Sequence, residues 1–367
     1  MRLGKYMGAL LGLAIIGSAC AAEFKQWGVG EGRTGRRFVF LLRCESWADY
    51  LVQRSTNLVD WETIGLSHGF ETNRLFASTN SIAAMPHAFF RTVRTDANFF
   101  GYAVVAKELI SLGTNSTVTI DSFDSSNPLY STNGFYEPTK RKDTALVATL
   151  SSNTPAIETG LGRIYGHAVT APGGTVTGNI GNAAWHVINT GIQPGTVFHD
   201  FSTNLADVVL PTNATNWATP LQSDGTYILT TGDYKINGDF TARMQVVGNA
   251  RLWIAGRVRM GAGDYINIAG NGSLRMYVGG GAVPSDAFFS GNVMINTPGK
   301  AANCSIFGLT NCTEIKFYGA ADFTGVIYAP NAVVSVGPTS EIVGAITAKS
   351  VSCVGVSGLH YDEALGH

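Results

Sequence analysis

The feature that most constrains this chain is a series of short runs in which apolar and polar residues alternate, with glycine between the runs. The series starts near Tyr227 and continues to the C-terminus. Alternation with period two is typical of a half-buried strand, and the gaps of a few residues are too short for helices. Glycine suits the corners, where the backbone adopts positive φ or lies close to a neighbouring strand. This part of the chain is therefore predicted to be all-β.

The runs repeat at a spacing that fits the coils of a β-solenoid. Cuts before Met244, Tyr265, Ala287, Ile315 and Ile342 give segments of 21, 22, 28 and 27 residues. In a solenoid, the inward side chains of each coil stack on those of the next. We predict a right-handed parallel β-helix; a β-sandwich of short hairpins is the alternative, because period two does not distinguish parallel from antiparallel pairing. The residues predicted to face inward are Val246, Ile254, Met260, Ile266, Ile268, Leu274 and Met276.

The composition agrees with an all-β chain and excludes several classes of protein. Of the 367 residues, 44 are glycine, 14% are charged and 45% are hydrophobic. These values argue against a helical protein and against a disordered one. The formal net charge is −1 and no basic stripe is present, so nucleic acid is not predicted as a partner. No sequence motif calls for a cofactor.

The N-terminus has the layout of a secretory signal peptide. Arg2 and Lys5 precede an apolar run at residues 7–17, and small residues follow. We predict a signal peptide of residues 1–21 with cleavage before Ala22, and hence a secreted or cell-envelope protein. The alternative is an outer-membrane lipoprotein acylated at Cys20. The mature chain is predicted to have no membrane span, because no later stretch is apolar enough.

The cysteines fit an oxidising compartment. Once Cys20 has left with the leader, Cys44, Cys304, Cys312 and Cys353 remain. An even number of cysteines in an exported chain favours disulfides. Cys304 and Cys312 are the candidate pair, because a short loop could close between adjacent strands; the other pairings stay open, and buried free thiols are the alternative. No metal site is predicted, since the chain has no Cys-x-x-Cys and its histidines are scattered.

Residues 36–95 contain short strand patterns separated by turns, which predicts a small N-terminal β-sandwich. The run YLVQRSTNLVDW at residues 50–61 and the run FFRTV at residues 89–93 carry a family resemblance. They resemble the fibronectin-III-like modules of exported proteins from Verrucomicrobia and related bacteria. The resemblance implies that the aromatic pair and Trp61 belong to the core of an architectural module.

Five runs after residue 100 carry a second resemblance. They are IDSFDSS at 120–126, IYGHAVTAPGG at 164–174, GIQPG at 191–195, FTGVIYAPNA at 323–332 and HYDE at 360–363. Together they resemble an uncharacterised β-helical domain of exported proteins from Verrucomicrobia and Planctomycetes, related to PilX-associated proteins. The resemblance implies a β-helix domain at residues 100–367. It implies no reaction, because none is assigned to that family.

Two polar groups are candidate sites. Asp121 and Asp124, each followed by a serine, could offer oxygen ligands to calcium. Aspartate and serine also bond their own backbone at tight corners, and this is our interpretation. In the tail, we expect His360, Asp362 and Glu363 to form a hydrogen-bonded lock that closes the last coil, whose edge would otherwise stay unpaired.

Catalysis by a β-helix of this kind would need carboxylates, or calcium ligands with a base, gathered on one face. The charged candidates scatter along the ladder instead, without a pair that marks a cleft: Asp233, Lys235, Asp239, Arg257, Arg259 and Asp264. A candidate surface-binding site remains at Trp253, Arg257 and Asp264, because alternation points Trp253 outward. A flat ice-like array is not indicated, because the Thr-x-Thr triplets at 117–119 and 175–177 are isolated.

We therefore predict a non-enzymatic, exported β-solenoid protein that acts as a scaffold or adhesin at the cell surface or envelope. Its predicted partners are cell-surface polysaccharide or an envelope protein, and no cofactor or metal is expected. The alternative is a β-helix protein that binds or degrades polysaccharide, as a lyase or hydrolase. The warrant for that alternative is analogy of fold.

Overall fold

The computed structural model describes residues 23–32, 35–43, 50–57, 61–67, 74–77, 89–94, 101–211, 214–291 and 293–366. The predicted signal peptide with Cys20 lies outside the described residues, and so does Cys44. The chain divides into two compact units, residues 1–98 and residues 99–366.

The first unit contains two antiparallel three-stranded sheets. One sheet has the order β1-β2-β5 and the other has the order β4-β3-β6. The strands are β1 (Glu23–Gly32), β2 (Gly35–Arg43), β3 (Tyr50–Ser55), β4 (Glu62–Ser67), β5 (Arg74–Ala77) and β6 (Phe89–Arg94). Strand β1 lies before the region in which strands were predicted.

The second unit is a coil of short, mostly parallel strands. Its first part contains a short helix, α1 (Trp185–Ile188), and seven strands: β7 (Val104–Ala106), β8 (Ile110–Ser111), β9 (Thr119–Phe123), β10 (Ala145–Thr149), β11 (Ile157–Thr170), β12 (Val176–Gly181) and β13 (Val197–Phe198). Its second part continues with β14 (Leu221–Ser223), β15 (Thr226–Leu229), β16 (Gly232–Ile236), β17 (Arg243–Val246), β18 (Asn249–Ile254), β19 (Val258–Met260), β20 (Tyr265–Ile268), β21 (Ser273–Val278), β22 (Ser285–Ser290), β23 (Met294–Asn296), β24 (Cys304–Gly308), β25 (Cys312–Tyr318), β26 (Phe323–Val336), β27 (Glu341–Cys353) and β28 (Gly358–Asp362). Single 3₁₀ turns lie at Pro138–Lys140, Ala214–Asn216, Ala301–Asn303 and Glu363–Gly366.

The strands stack into three faces. The first face runs through β16, β18, β21, β24, β26, β27, β7, β10, β11 and β13. The second face runs through β19, β22, β25, β26, β27, β8, β11 and β12. The third face contains β15, β17, β20 and β23 in one part and β27, β28, β9, β11 and β12 in the other. The prediction of an all-β protein with a parallel solenoid is confirmed.

Inward columns of apolar side chains form the core, as the alternation predicted. On the first face, one register column is fully buried: Leu252, Met276, Ile306, Ile327, Ile346, Val104, Val147 and Ala168. The seven residues predicted to face inward are all buried. The proposed repeat boundaries were wrong, because they do not fall at equivalent positions of successive coils. Met244 and Tyr265 lie on the third face, whereas Ala287 and Ile315 lie on the second.

The order of coils in space differs from their order in the chain. Strand β7 pairs with β10 on one side and with β27 on the other, although β27 is near the C-terminus. Strand β9 likewise lies between β11 and β28. The unit therefore starts in the middle of its own stack. One coil of the stack is therefore made of strands from both ends of the sequence of this unit: β28 from its C-terminal end, and β7 and β8 from its N-terminal end.

A crossing segment, described at residues 199–211 and 214–218, links the two ends of the stack; we call it the strap. The Phe201 amide donates to Thr170 O at 2.9 Å, and Tyr328 Oη donates to Ala206 O at 2.7 Å. Farther along, Val208 forms a bridge with Leu309, and Ala218 forms one with Tyr234. The strap thus passes along the outside of the first face, and β14 and β15 then form an antiparallel hairpin that starts the coil again.

Candidate functional site

A polar cluster with a buried centre lies on the third face, where the last strand meets the first coil. His360 of β28 is in register with Asp121 of β9 on one side and with Val343 of β27 on the other. Asp121 is fully buried, and His360 is only 6% exposed. Alternation places both side chains on the outer side of their strands, because Leu359 and Ile120 beside them point into the apolar core.

The imidazole of His360 is held by two carboxylates. Its Nδ1 lies 2.6 Å from Asp121 Oδ1, and its Nε2 lies 2.7 Å from Glu341 Oε2. Both ring nitrogens face acceptors, so both act as donors and the ring is the imidazolium. Burial alone would lower the pKa of His360, but the hydrogen bonds and charges of Asp121 and Glu341 outweigh it and raise that pKa to about 9.

Tyr136 covers this cluster from the loop between β9 and β10. Its ring stacks on the imidazole with 3.7 Å between centroids and 18° between planes. Its hydroxyl donates to Asp121 Oδ2 at 2.7 Å, so both oxygens of that buried carboxylate are bonded. Burial, followed by the Asp121 carboxylate, raises the pKa of Tyr136 above its ordinary value. The phenol therefore remains a donor, and its ring face stabilises the cation.

The segment that follows β28 is tied to the same loop. Lys142 forms an ion pair with Glu363, and Thr144 Oγ1 donates to the same carboxylate. Asp362 accepts hydrogen bonds from the Ser125 amide at 3.0 Å and from the Ala364 amide at 3.2 Å. The predicted lock at His360, Asp362 and Glu363 therefore exists, but its position was wrong. It lies at an internal joint of the stack, where β28 is paired on both edges.

Two of the three charged members of the cluster, His360 and Asp121, are buried, whereas Glu341 is 48% exposed. A protonated imidazole has no lone pair with which to accept a proton, and here each N–H is already bonded to a carboxylate. Its three charged members come from β27, β28 and β9, so the cluster joins three neighbouring strands. Within the part of the chain that the structure describes, no group of three or more His, Cys, Asp or Glu side chains could hold a metal ion.

Asp121 and Asp124 have separate partners. Asp121 faces His360, whereas Asp124 Oδ1 accepts from the amide and hydroxyl of Ser126 at 2.9 and 2.6 Å. The second arrangement is a local turn of the kind expected from an aspartate at a corner. The interpretation as turn-forming residues therefore applies to Asp124, and the sequence did not indicate the role of Asp121 in the cluster.

Trp253 points away from the coil core, as alternation indicated, but it is not a surface residue. It is 6% exposed, and its Nε1 donates to Gly279 O at 2.7 Å. The strap covers it: Val208 and Ala214 pack in one cluster with Trp253, Tyr277 and Tyr328. The proposal of Trp253 as a surface-binding residue was therefore wrong, because a segment distant in sequence buries it.

Arg257 and Asp264 do not join Trp253 in a site. Arg257 is exposed in the turn before β19, and its amide donates to Asp239 Oδ1 at 2.7 Å. Asp264 precedes β20, where its Oδ2 accepts from the Gly261 amide at 3.0 Å and closes a turn. The three residues belong to one coil, but Trp253 lies within β18, whereas Arg257 and Asp264 lie at two different corners.

The remaining charged candidates connect neighbouring coils. Arg251 donates two hydrogen bonds of 2.6 Å to the carboxylate of Asp233. Arg259 forms an ion pair with Asp286, and its guanidinium lies 4.1 Å from the centroid of the Phe288 ring. These charged side chains therefore pair with one another between coils and do not gather in a cleft.

Cys304, Cys312 and Cys353 are buried free thiols. The structure does not join Cys304 to Cys312, so the predicted disulfide is absent from it. Cys304 is the first residue of β24, and Cys312 is the first residue of the next strand, β25. Both side chains point into the apolar core. Burial raises the pKa of each of the three thiols to about 12, which disfavours the reactive thiolate.

Sequence reasoning missed Tyr136 and Glu341, which complete the His360 cluster. Tyr136 lies in a loop without periodicity, and Glu341 gave no signal beyond its place before a strand.

No helix in the described part of the chain is long and apolar enough to cross a membrane.

Comparison with known proteins gives a family match for the C-terminal part of the chain. Residues 199–367 match the model of a domain of unknown function, DUF7305. Two similar solved structures are of an ice-binding protein from an Arctic yeast. They share 13% and 11% sequence identity with this chain, with TM-scores of 0.30 and 0.31, and each match covers 72% of this chain and 92% of the other. No curated protein matches. Similarity at this level does not identify an activity.

Proposed function

We propose that this protein is a non-catalytic scaffold, exported to the cell surface or envelope, with an adhesin-like role. One observation carries the proposal: at the joint of the coil, His360 and Asp121 are buried and already bonded to each other. The imidazolium of His360 lies between the carboxylates of Asp121 and Glu341 on three strands, and Tyr136 stacks on the imidazole. General acid–base catalysis by His360 would need a free lone pair or an accessible proton on the imidazole, and each of its N–H groups is already bonded to a carboxylate.

The other charges support the same role. The ion pairs of Asp233 with Arg251 and of Arg259 with Asp286 link strands on neighbouring coils. Partly buried ion pairs of this kind add little net stability, but they can favour one register over others. A scaffold needs that property, because a slip of one residue would turn every inward side chain outward.

The test of this proposal is turnover. The purified protein is incubated with a panel of uronate-containing polysaccharides, and product release is followed by reducing ends and by absorbance of unsaturated products. We expect no release above a heat-denatured control. Product release that disappears in Asp264→Ala or Arg257→Ala, while Val209→Ala retains it, would overturn the proposal.

Polysaccharide binding without cleavage is the second candidate, and an exposed aromatic and basic group on the second face favours it. Tyr318 is 54% exposed, and the Lys316 ammonium lies 5.6 Å from its ring centroid and 5.8 Å from that of Phe288. Aromatic rings beside cations suit sugar rings that carry carboxylates. A glycan array probed with wild type and Tyr318→Ala tests this candidate. Equal signals from the two proteins would exclude this face.

We also propose export through the segment at residues 1–21, a right-handed coil, and a fibronectin-III-like packing of the two N-terminal sheets. The layout of the N-terminus and the two family resemblances support these points. N-terminal sequencing of the exported protein tests the first of them. We expect Ala22 as the first residue, and a lipid on Cys20 would indicate the lipoprotein alternative.

A further inference from the structure

A lysine, an asparagine and an aspartate meet under the strap, near the joint at which β27 of the last coils pairs with β7 of the first coil. Lys107 follows β7, Asn331 lies within β26, and Asp207 belongs to the strap. The Lys107 ammonium Nζ lies 2.9 Å from the side-chain oxygen Oδ1 of Asn331. Asn331 Nδ2 donates to Asp207 Oδ1 at 2.7 Å, and the same Asp207 oxygen lies 4.0 Å from Lys107 Nζ.

We propose that these three residues form a self-modification site at which Lys107 and Asn331 become joined by an intramolecular isopeptide bond. The neutral amine of Lys107 attacks Cγ of Asn331, and a bond between Nζ and Cγ forms. The bond between Cγ and Nδ2 breaks, and one molecule of ammonia leaves. Asp207 accepts the proton that Nζ loses and delivers it to Nδ2. The exchange of one amide for another requires no oxidant, reductant or cofactor.

The geometry brings the three reacting groups together, with Lys107 Nζ hydrogen-bonded to Oδ1 of the amide that it would attack. A nucleophile held against an amide reacts as though at an effective concentration of roughly 10⁵ M or more when well aligned. The Asp207 oxygen lies near both the attacking and the leaving nitrogen, which is the place for a group that transfers a proton between them. Lys107 and Asp207 are 31% and 54% exposed, so the released ammonia has a path to water.

At this position the bond would strengthen the solenoid mechanically. Strand β27 lies between β26 and β7, so the link would span β27 and connect the late coils to the first one. This is the joint where neighbouring coils are not consecutive in the chain and non-covalent contacts alone hold them. A covalent link there would prevent the stack from opening under load. The inference does not depend on whether the scaffold binds polysaccharide.

Only the neutral form of an amine can attack an amide carbon, because an ammonium has no lone pair. The bond should therefore form slowly at neutral pH and faster at alkaline pH. Loss of the Asp207 carboxylate in Asp207→Ala should slow its formation by roughly 100-fold, the usual worth of a positioned proton acceptor.

Intact-mass spectrometry of the purified full chain, before and after alkaline incubation, tests the proposal. We expect a mass lower than calculated by one ammonia, and a tryptic species that joins the peptides of Lys107 and Asn331. Lys107→Arg should abolish both signals, whereas Lys349→Arg, which changes another partly exposed lysine on the same part of the coil, should keep them. A wild-type mass equal to the calculated one after incubation would overturn the proposal. So would an ammonia loss that persists in Lys107→Arg, because it would indicate succinimide formation.

Discussion

His360 and Asp121 are 239 residues apart in the chain, yet Nδ1 of one lies 2.6 Å from Oδ1 of the other on adjacent parallel strands. The contact joins the last strand of the solenoid to its first coil. It therefore links the two ends of the unit, in a position where both side chains are buried under Tyr136.

Replacement of His360 by alanine should strongly destabilise the protein. It leaves Asp121, which is fully buried, without its cation, and breaking a buried pair in this way costs about 3–5 kcal/mol. Urea unfolding measures the loss. His199→Ala is the control, because His199 is exposed; it should cost less than about 1 kcal/mol. A His360→Ala effect as small as that of the control would contradict the account of the cluster.

The stability supplied by His360 should decline at alkaline pH. Its folded pKa is about 9 and its ordinary value is 6.5, so the protonation-linked stabilisation is fully present below pH 6.5 and is lost as pH rises through 9. The difference between these two pKa values corresponds to a linked free energy of roughly 3 kcal/mol. Unfolding of wild type and His360→Gln is compared from pH 6 to pH 10 in steps of about one unit. The two curves should converge as pH rises, and a constant gap would exclude a titrating His360.

The strap should stabilise the first face through Trp253. Trp253→Ala removes a large side chain buried between the coil and the strap, which should cost about 3–5 kcal/mol. Val209→Ala in the strap is the control, because Val209 is 80% exposed; its effect should lie within about 0.5 kcal/mol of zero. Similar stabilities of the two variants would show that the strap does not cover Trp253.

The thiols of Cys304, Cys312 and Cys353 should be inert in the folded protein. All three are buried and burial raises their pKa to about 12, so little thiolate forms and reagent cannot reach it. Alkylation under native conditions, followed by peptide mapping, should leave the three unmodified. After unfolding without reductant, all three should react. Protection of Cys304 and Cys312 that persists in the unfolded protein until reductant is added would restore the disulfide prediction.

The inward faces of the solenoid could be predicted from the sequence because burial imposes period two locally. Ile266 and Ile268, for example, alternate with half-buried Tyr265 and Asn267, and this pattern needs no knowledge of distant segments. The order of the coils could not be predicted. Nothing in the pattern of β7 indicates that it pairs with β27, since any apolar parallel strand would satisfy the same edge.

The contacts within the candidate site could not be predicted from the sequence either, because they too depend on segments that are distant in the chain. His360 and Asp121 both belonged to runs singled out in the sequence, yet their contact depends on the joint between chain ends. Tyr136 and the strap residue Val208 lie in irregular segments, where periodicity gives no information. Trp253 was placed outward correctly by alternation, and its burial came from the strap, for which no structure was predicted from the sequence.

Hydrogen exchange in the full chain tests most directly the claim that β28 completes the first coil. If β28 is paired on both edges with β27 and β9, its amides and those of β9 should exchange as slowly as the amides of β27, within about a factor of ten. Exchange of β28 at the rate of an unstructured terminus, while β27 stays protected, would contradict the account.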